Sequence, residues 1–315
     1  MEILTALVQL VAGFVLLVKG ADFFVDGSSA LARKLKVPSL IIGLTIVAMG
    51  TSLPELSVSI TASMAGSNAL AVSNVIGSNI FNLIVVLGVS AILTTVEVSD
   101  NVVRKELPFS VACALLLLAL GLGGMELGRV DGLIFLAIFA AFLLKQIFSA
   151  LSARRSAGED EVAPGKGLSL LACLVFIVGG ATAVKFGGDF TVSGARTIAA
   201  ALGLSENLIG LTIVAMGTSL PELVTSVVAA RKNELDMAVG NVVGSNVFNI
   251  LMILGVAATV SPITFVMENV VDICILLGFS LMLWLFSATK HRIERMEGAA
   301  MLAGYALFMA YIIIR

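Results

Sequence analysis

The stretch IGLTIVAMGTSLPEL occurs twice in this chain of 315 residues, at 42–56 and again, letter for letter, at 209–223. A second stretch, NVIGSNIFN at 74–82, returns as NVVGSNVFN at 241–249. Both pairs are separated by the same offset of 167 residues. The chain is therefore an internal duplication, and any chemistry that one copy supplies is supplied a second time.

Each copy of the first stretch carries one glutamate, Glu55 or Glu222, within a segment that is otherwise apolar enough to cross a membrane. A carboxylate at the centre of a bilayer costs about 3 kcal/mol or more, and such residues usually mark an ion or substrate pathway. Two of these carboxylates, one in each copy, predict a paired anionic site for a cation.

The composition assigns the whole chain to the membrane. Hydrophobic residues make up 59% of the sequence and charged residues only 13%, whereas a soluble domain has about 25% charged residues. The apolar segments are long and continuous and do not alternate, which excludes a β-barrel. We predict ten spans of roughly the length that crosses a bilayer. The predicted spans are 3–32, 38–63, 69–92, 106–123, 130–150, 168–199, 206–230, 236–258, 268–288 and 298–314.

The number of spans in each copy determines how the two copies are related. Five is an odd number, so the second copy enters the membrane in the opposite orientation to the first, as in many secondary transporters. We therefore expect an all-α integral membrane protein with ten transmembrane helices in two inverted five-helix repeats. The repeats are 1–151 and 168–315. The polar segment 152–167 between them is too short to fold alone and is predicted to be a cytoplasmic linker.

Lysine and arginine are concentrated on one side of this topology. Three of them lie on the side of the termini, Arg129, Arg196 and Arg315. Fourteen lie in loops on the other side: Arg33, Lys34, Lys36, Arg104, Lys105, Lys145, Arg154, Arg155, Lys166, Arg231, Lys232, Lys290, Arg292 and Arg295. Basic loops stay in the cytoplasm. The sequence therefore predicts a multi-pass protein of the cell membrane with both termini extracellular.

The proline of the repeated stretch breaks the second span. Pro54 has no backbone N–H and clashes with the carbonyl of Gly50, so the helix must kink or open there. The break releases backbone carbonyls around residues 48–51. Carbonyls without partners are tolerated at membrane depth only where they are buried in protein or line a cavity. Pro221 has the same effect in the second copy.

Hard oxygen ligands surround this break. Thr51 and Ser52 precede Glu55 by four and three residues, so retained helicity would place both hydroxyls on the face of the carboxylate. Carboxylate, hydroxyl and carbonyl oxygens suit Ca²⁺ or Na⁺ and do not suit Zn²⁺ or Cu⁺. Thr218, Ser219 and Glu222 repeat the arrangement.

The second repeated stretch supplies further oxygen ligands. Ser78 and Asn82 are four residues apart and share a helix face, as do Ser245 and Asn249. If the two copies face each other, one site gathers two carboxylates, two amides, six hydroxyls and several carbonyls. Ca²⁺ takes about six to eight oxygens, and two carboxylates would neutralise it. The alternative for the two asparagines is that they are interhelical glue, the commoner role of amides in a membrane.

The motifs GTSLPEL and GNVVGSNVFN, both duplicated in a ten-span chain, resemble the sodium/calcium exchanger branch of the calcium/cation antiporter superfamily. KGADFFVDG at 19–27 and KFGGDFTVSG at 185–194 also resemble that family's first and sixth spans. The resemblance covers essentially the whole chain. It implies a prokaryotic-type exchanger without a regulatory domain, in which the first and sixth helices slide against a rigid core. It also implies ion ligands at these positions: Glu55, Glu222, Thr51, Ser52, Thr218, Ser219, Ser78, Ser245, Asn82, Asn249 and the carbonyls of Ala48 and Ala215.

The resemblance implies exchange of Na⁺ for Ca²⁺ by alternating access, in which the two ions compete for overlapping ligands. Some relatives, including potassium-dependent exchangers, have aspartate where this chain has Asn249, which argues against potassium co-transport. Proton-driven calcium exchangers of the superfamily carry a different signature. A proton/calcium antiporter nevertheless stays open as the alternative.

Two other functions are weaker alternatives. An intramembrane serine protease needs a base, and the single histidine, His291, lies in a basic loop. A cation channel could use the same ligands, but two symmetric helix breaks around buried carboxylates favour occluded binding over fast conduction. We therefore predict no enzyme activity and no cofactor, with Ca²⁺ and Na⁺ bound only as transported ions. The lipid bilayer is the remaining partner, and neither nucleic acid nor a protein partner is predicted.

Overall fold

The computed structural model of the protein describes residues 2–64, 68–156, 168–204, 213 and 215–314. Almost all of these residues are helical. The α-helices of the first half are α1 (Glu2–Leu35), α2 (Ser39–Ile42), α3 (Ala48–Thr51), α4 (Leu53–Met64), α5 (Asn68–Phe81), α6 (Leu87–Leu93), α7 (Leu107–Leu122) and α8 (Arg129–Ser156).

The second half repeats this order. Its α-helices are α9 (Leu170–Ala201), α10 (Ala215–Gly217), α11 (Leu220–Arg231), α12 (Leu235–Phe248), α13 (Leu254–Val260), α14 (Met267–Lys290) and α15 (Arg295–Ile314). Wider π-helical turns join some of these helices into longer spans, at Gly43–Val47, Asn82–Val86, Val102–Glu106 and Asn249–Ile253. Such turns are rare and are often found at functional sites.

The predicted spans agree with the observed helices to within a few residues at most ends. In the part of the chain that the structure describes, eight helices are long and apolar enough to cross a membrane, or nine if a bent pair is counted as one span. That pair is Ser39–Thr51 with Leu53–Met64, bent by 49°. The predicted span 206–230 begins in 205–212, outside the described residues. Helix α8 continues to Ser156, so the first residues of the predicted linker are helical.

The centre of the molecule consists of two equivalent spans. In the span Ala71–Leu93, 78% of an apolar 18-residue stretch is buried inside the protein, and in Leu235–Val260 the buried share is 83%. The corresponding figure for α1 is 22% and for α9 28%. The spans that carry the second repeated motif therefore form the core, while α1 and α9 lie at the periphery with faces suited to lipid.

Glycines bring α1 and α9 into backbone contact. A Cβ atom added at Gly187 would lie 2.8 Å from the carbonyl oxygen of Gly13, and one at Gly180 would lie 2.8 Å from that of Gly20. Side chains larger than hydrogen do not fit at these crossings, and close approach through small residues is a common way to pack helices in a membrane. The two peripheral helices therefore form one tightly packed pair.

Two short β-pairings connect the halves at their loops. Strand β1 (Val96–Glu97) pairs with β4 (Arg292–Ile293), and β2 (Glu126–Leu127) pairs with β3 (Ile263–Thr264), both antiparallel. The offset of the repeat relates β1 to β3 and β2 to β4. Each pairing thus joins one strand from each half, and the two pairings are equivalent to each other.

Candidate cation-binding site

The helix break predicted at Pro54 is present. Helix α3 ends at Thr51, and Ser52 leaves the helical region with φ −83° and ψ 12°. The hydrogen-bond ladder continues on either side, where the N–H of Ser52 donates to Ala48 at 3.1 Å and that of Leu56 donates to Ser52 at 3.1 Å. Because Pro54 has no N–H, it cannot continue the ladder to the carbonyl of Gly50. The bend therefore lies at Ser52, three residues before Glu55.

The second copy breaks in the same way. Helix α10 ends at Gly217 and α11 begins at Leu220. Between them Ser219 has φ −95° and ψ 6°, close to the values of Ser52. Its N–H donates to the carbonyl of Met216 at 3.2 Å. The local sequence thus produces the same turn twice, and each turn is followed by its glutamate.

The serines of the two breaks bind the glutamates of the opposite copies. Ser52 Oγ donates to Glu222 Oε1 at 2.7 Å, and Ser219 Oγ donates to Glu55 Oε1 at 3.1 Å. All four side chains have no exposed surface. The sequence placed the hydroxyls on the face of their own carboxylate if the helix continued, and it did not predict these hydrogen bonds between the halves. The crossing brings both carboxylates into a single site between the halves.

Other predicted residues complete the surroundings of the carboxylates. Ser78 Oγ donates to Glu55 Oε1 at 3.5 Å. The hydroxyls of Thr51 and Ser245 face the Glu222 carboxylate, and Ser245 Oγ also lies 3.5 Å from the carbonyl oxygen of Ala48. The structure therefore brings the predicted hydroxyls of the first copy and of α12 together around the glutamates.

Two further predicted residues lie at the helix break of the second copy. Thr218 lies in the turn between α10 and α11 and is partly exposed, whereas its equivalent Thr51 has no exposed surface. Ala215 begins α10. The residues that precede it in the second copy, 209–212 and 214, lie outside the described part of the chain.

The two predicted amides lie opposite each other at the start of π-helical turns. Asn82 and Asn249 have no exposed surface and are the first residues of the turns Asn82–Val86 and Asn249–Ile253. Asn82 Nδ2 donates to Asn246 Oδ1 at 3.3 Å, and Asn249 Nδ2 donates to Asn79 Oδ1 at 3.0 Å. Each amide nitrogen is therefore held by an asparagine of the opposite half.

The asparagines that hold these amides were not predicted from the sequence. Asn79 and Asn246 lie three residues before Asn82 and Asn249, in the Gly-Ser-Asn part of the repeated motif. A third missed residue, Asn241, donates to Ser226 Oγ at 2.9 Å and accepts from Thr51 Oγ1 at 3.1 Å. The available signal was the duplication itself, since each of these asparagines is present in both copies.

Four acceptor oxygens at this site are buried without a hydrogen-bond donor among the described residues. They are Glu55 Oε2, Glu222 Oε2, Asn82 Oδ1 and Asn249 Oδ1. A buried polar atom without a partner costs free energy, and native proteins rarely leave one unexplained. Each half contributes one carboxylate oxygen and one amide oxygen, at equivalent positions of the repeat. Each of these atoms is an oxygen with a free lone pair, so each is able to accept a cation.

The charges of the site favour a cation as well. Among the ion pairs of the described residues, none joins a lysine or arginine to Glu55 or Glu222. Two carboxylates that share a hydroxyl-lined site repel each other when both are ionised. A divalent cation with hard-oxygen preference would compensate both charges at once.

Charged residues of α1 and α9 lie outside this site. Each of these helices carries a local ion pair, with Lys19 Nζ 3.9 Å from Asp22 and Lys185 Nζ 2.8 Å from Asp189. The structure adds Lys232, at the end of α11, whose Nζ lies 3.3 Å from Asp22 and 2.8 Å from Asp26. These residues thus connect α1 to the core at its surface.

Comparison with known proteins places the chain in a family. The family model described as sodium/calcium exchanger protein matches the chain twice, over residues 5–148 and 171–314. The chain belongs to the sodium/calcium exchanger protein family. Members of this family are transporters, so the prediction that the chain is not an enzyme is confirmed, and the protease alternative is wrong. They bind the ions that they transport and use no separate cofactor.

Relatives match this chain along nearly its whole length. A candidate antiporter named CaxA, from Alkalimonas amylolytica, is 37% identical over 96% of this chain and 97% of its own. The sodium/calcium exchanger MaX1 of Methanosarcina acetivorans is 32% identical over 95% and 96%. A solved structure of the sodium-calcium exchanger NCX_Mj, soaked with Na⁺ and Ca²⁺, superposes with a TM-score of 0.84 and 34% identity, covering 97% of this chain and 98% of that one. The prediction of an all-helical, multi-pass membrane cation antiporter is confirmed.

Proposed function

We propose that this protein exchanges Na⁺ for Ca²⁺ across the cell membrane by alternating access. The observation that carries the proposal is the set of four buried acceptor oxygens without donors, on Glu55, Glu222, Asn82 and Asn249. Two of them belong to carboxylates and two to amides, which gives a ligand set of net charge −2 made only of oxygen. The names of MaX1 and NCX_Mj as sodium/calcium exchangers support the choice of ions.

The ligands extend beyond the four unpartnered oxygens. Ca²⁺ takes about six to eight oxygens at about 2.3–2.6 Å, including carbonyls and hydroxyls. Na⁺ accepts the same hard oxygens but brings half the charge, so the two ions compete for overlapping positions and the exit of one permits the entry of the other. We propose these further ligands: Thr51, Ser52, Ser78, Thr218, Ser219, Ser245 and the carbonyls of Ala48 and Ala215.

The proposal includes a topology in which the site lies between two inverted repeats. The repeats are 1–151 and 168–315, each with five transmembrane helices, and 152–167 is the cytoplasmic linker. Both termini are extracellular, in keeping with the basic loops on the other side. The double match of the family model and the equivalent β-pairings between the halves support a duplicated architecture. A midplane site at the repeat interface is typical of such transporters.

The experiment that tests the coupling ion is uptake of ⁴⁵Ca²⁺ into proteoliposomes that contain the purified protein. The vesicles are loaded with Na⁺, K⁺ or choline, with or without an imposed pH gradient. We expect uptake only with internal Na⁺, independent of K⁺. Uptake driven by a pH gradient in Na⁺-free vesicles would replace the proposal with the proton/calcium antiporter. Conduction of Ca²⁺ down its gradient without any counter-ion would indicate a channel.

A further inference from the structure

The centre of the molecule contains four asparagine side chains from α5, α12 and the turns that follow them. Asn79 Nδ2 donates to the carbonyl oxygen of Asn246 at 3.2 Å, and Asn246 Nδ2 donates to that of Asn79 at 3.2 Å. Asn79 has no exposed surface, and Asn246 is 1% exposed. Their Oδ1 atoms accept the amide hydrogens of Asn249 and Asn82, respectively. We call these four side chains the amide quartet.

Chemistry fixes the orientation of every amide in the quartet. A backbone carbonyl can only accept hydrogen bonds, so the atom that Asn246 presents to the Asn79 carbonyl must be its NH₂ group. The Oδ1 of Asn246 then points to Asn82 and can only accept, so Asn82 must present its NH₂ group in turn. What remains of Asn82 is its oxygen, and this is one of the four acceptors without a donor. In the same way, the hydrogen bond from Asn79 to the Asn246 carbonyl fixes the orientation of Asn249 and leaves the Asn249 oxygen without a donor among the described residues.

We propose that Asn79 and Asn246 are positioning residues that set the amide orientation of Asn82 and Asn249, so that both present oxygen to the transported cation. This inference rests on the proposed function of the site. An amide free to rotate would present its NH₂ group in part of the molecules, and a partly positive donor repels a cation. The positioning residue for each amide comes from the other half of the chain. The two halves must therefore be docked before the site has its full set of oxygens.

The competing explanation is that Asn79 and Asn246 only hold the two halves together. Interhelical hydrogen bonds between amides do this in many membrane proteins. The two explanations differ in the effect of replacing Asn82 or Asn249 with a side chain that presents oxygen in either orientation. A carboxylate has acceptor oxygens on both sides, so Asn82→Asp or Asn249→Asp makes orientation irrelevant at that position. If Asn79 and Asn246 only held the halves together, this substitution would not restore the lost contact between them.

The first measurement is the half-saturating Ca²⁺ concentration of exchange for Asn79→Ala and Asn246→Ala. Loss of a group that orients a metal ligand typically weakens metal binding about 10- to 100-fold. We expect that rise in each variant, with a smaller change in the maximal rate. The matched control is Asn269→Ala, because Asn269 is equally buried and its hydrogen bonds join it to Ser73 and Val266 outside the quartet. Its half-saturating concentration should stay near the wild-type value.

The second measurement is a crossed rescue. Asn246→Ala frees Asn82, so adding Asn82→Asp should restore most of the Ca²⁺ affinity, whereas adding Asn249→Asp should not. Asn79→Ala frees Asn249, so in that background Asn249→Asp should rescue and Asn82→Asp should not. The added negative charge is the same in all four double variants, so a general effect of charge predicts no difference between matched and mismatched pairs.

The outcomes are distinct. Rescue by the matched carboxylate alone supports the positioning role. Equal rescue by both carboxylates, rescue by neither, or wild-type affinity in both alanine variants overturns it. Because the two positions are equivalent, either series decides the question if one alanine variant does not fold. Failure of the proposed function is recognised separately. Wild-type exchange by Glu55→Gln would show that the proposed cation site is not used for transport.

Discussion

The two copies of the repeated motif have identical letters but different surroundings. Thr51 in the first copy has no exposed surface, while Thr218 in the second is partly exposed. The flanking amides differ in the same way, since Asn241 is buried and Asn74 is partly exposed. The backbones pack closely around the buried residues. A Cβ atom added at Gly244 would lie 2.6 Å from the carbonyl oxygen of Leu44.

The two copies therefore differ in how closely the rest of the chain packs against them. The buried residues Thr51 and Asn241 lie where α12 packs against the segment 39–51, on the side of the basic loops. The more exposed residues, Asn74 and Thr218, lie toward the side of the termini. Thr218 and Asn74 are therefore the more accessible members of the two equivalent pairs in this structure. In a transporter built from inverted repeats, the opposite state would exchange the surroundings of the two copies.

The largest effect should come from removing either carboxylate. Both copies contribute to one site, so neither half can replace the other. Glu55→Gln and Glu222→Gln each remove one of two negative charges from a low-dielectric site, and we expect each to lower Na⁺-driven Ca²⁺ uptake at least about 100-fold. The measurement is initial ⁴⁵Ca²⁺ uptake into proteoliposomes.

A matched control for these variants is Glu268→Gln, an exposed glutamate in the first turn of α14. It should leave uptake unchanged. The glutamine variants should elute as folded protein, because the substitution keeps the shape and removes a buried charge. Wild-type turnover in only one of the two glutamine variants would show that the halves are not equivalent in binding.

The second prediction concerns access to the two copies. In a background without Cys113, Cys173 and Cys274, a cysteine at position 218 should react with a membrane-impermeant thiol reagent about tenfold faster, or more, than one at position 51. The reason is that thiol reactions depend on access, and Thr51 is fully buried.

Sidedness controls make this comparison interpretable. Thr264→Cys lies in β3 toward the side of the termini, and Thr289→Cys lies at the end of α14 on the opposite side, both at exposed positions. Reagent added to intact cells should label the first and not the second if the termini are extracellular. Equal labelling at positions 51 and 218 would contradict the inferred asymmetry between the copies.

A smaller effect is expected from the crossed serines. Ser52→Ala and Ser219→Ala each remove one hydrogen bond to a carboxylate of the other half, which should raise the half-saturating Ca²⁺ concentration about five- to tenfold. The Ser52 variant should be the more affected, because its hydrogen bond is 2.7 Å long and that of Ser219 is 3.1 Å. Titration of exchange against Ca²⁺ measures both.

Ser57→Ala on α4 is the control for the serine variants. Ser57 is exposed and donates to the carbonyl of Leu53, one turn earlier. Its removal should leave the Ca²⁺ dependence unchanged. If Ser52→Ala and Ser219→Ala behaved like Ser57→Ala, the crossed hydrogen bonds would have no part in binding.

Much of the fold could be predicted because membrane spans are determined by a physical length. An apolar segment must match the thickness of the bilayer, and the predicted ends 38–63 and 236–258 differ little from Ser39–Met64 and Leu235–Val260. The break at Pro54 followed from the missing N–H. The glutamates could be singled out because a carboxylate in an apolar span is costly and therefore conspicuous.

The remaining features depend on how the halves dock, which local spacing does not encode. Ser52 was expected beside Glu55, three residues away, and instead donates to Glu222 from the other half. Asn79 and Asn246 were overlooked because an amide in a membrane helix resembles ordinary interhelical glue. Their roles become visible only when the direction of each hydrogen bond is followed from the backbone carbonyls to the unpartnered oxygens.

The central claim is that two copies of one motif build a single shared cation site, and the number of bound ions tests it most directly. Equilibrium ⁴⁵Ca²⁺ binding to the purified protein in Na⁺-free detergent solution should give one high-affinity Ca²⁺ per chain. Added Na⁺ should displace it, and Glu55→Gln and Glu222→Gln should each abolish it. Two Ca²⁺ ions per chain, one lost in each glutamine variant, would contradict the account, because the copies would then be separate sites.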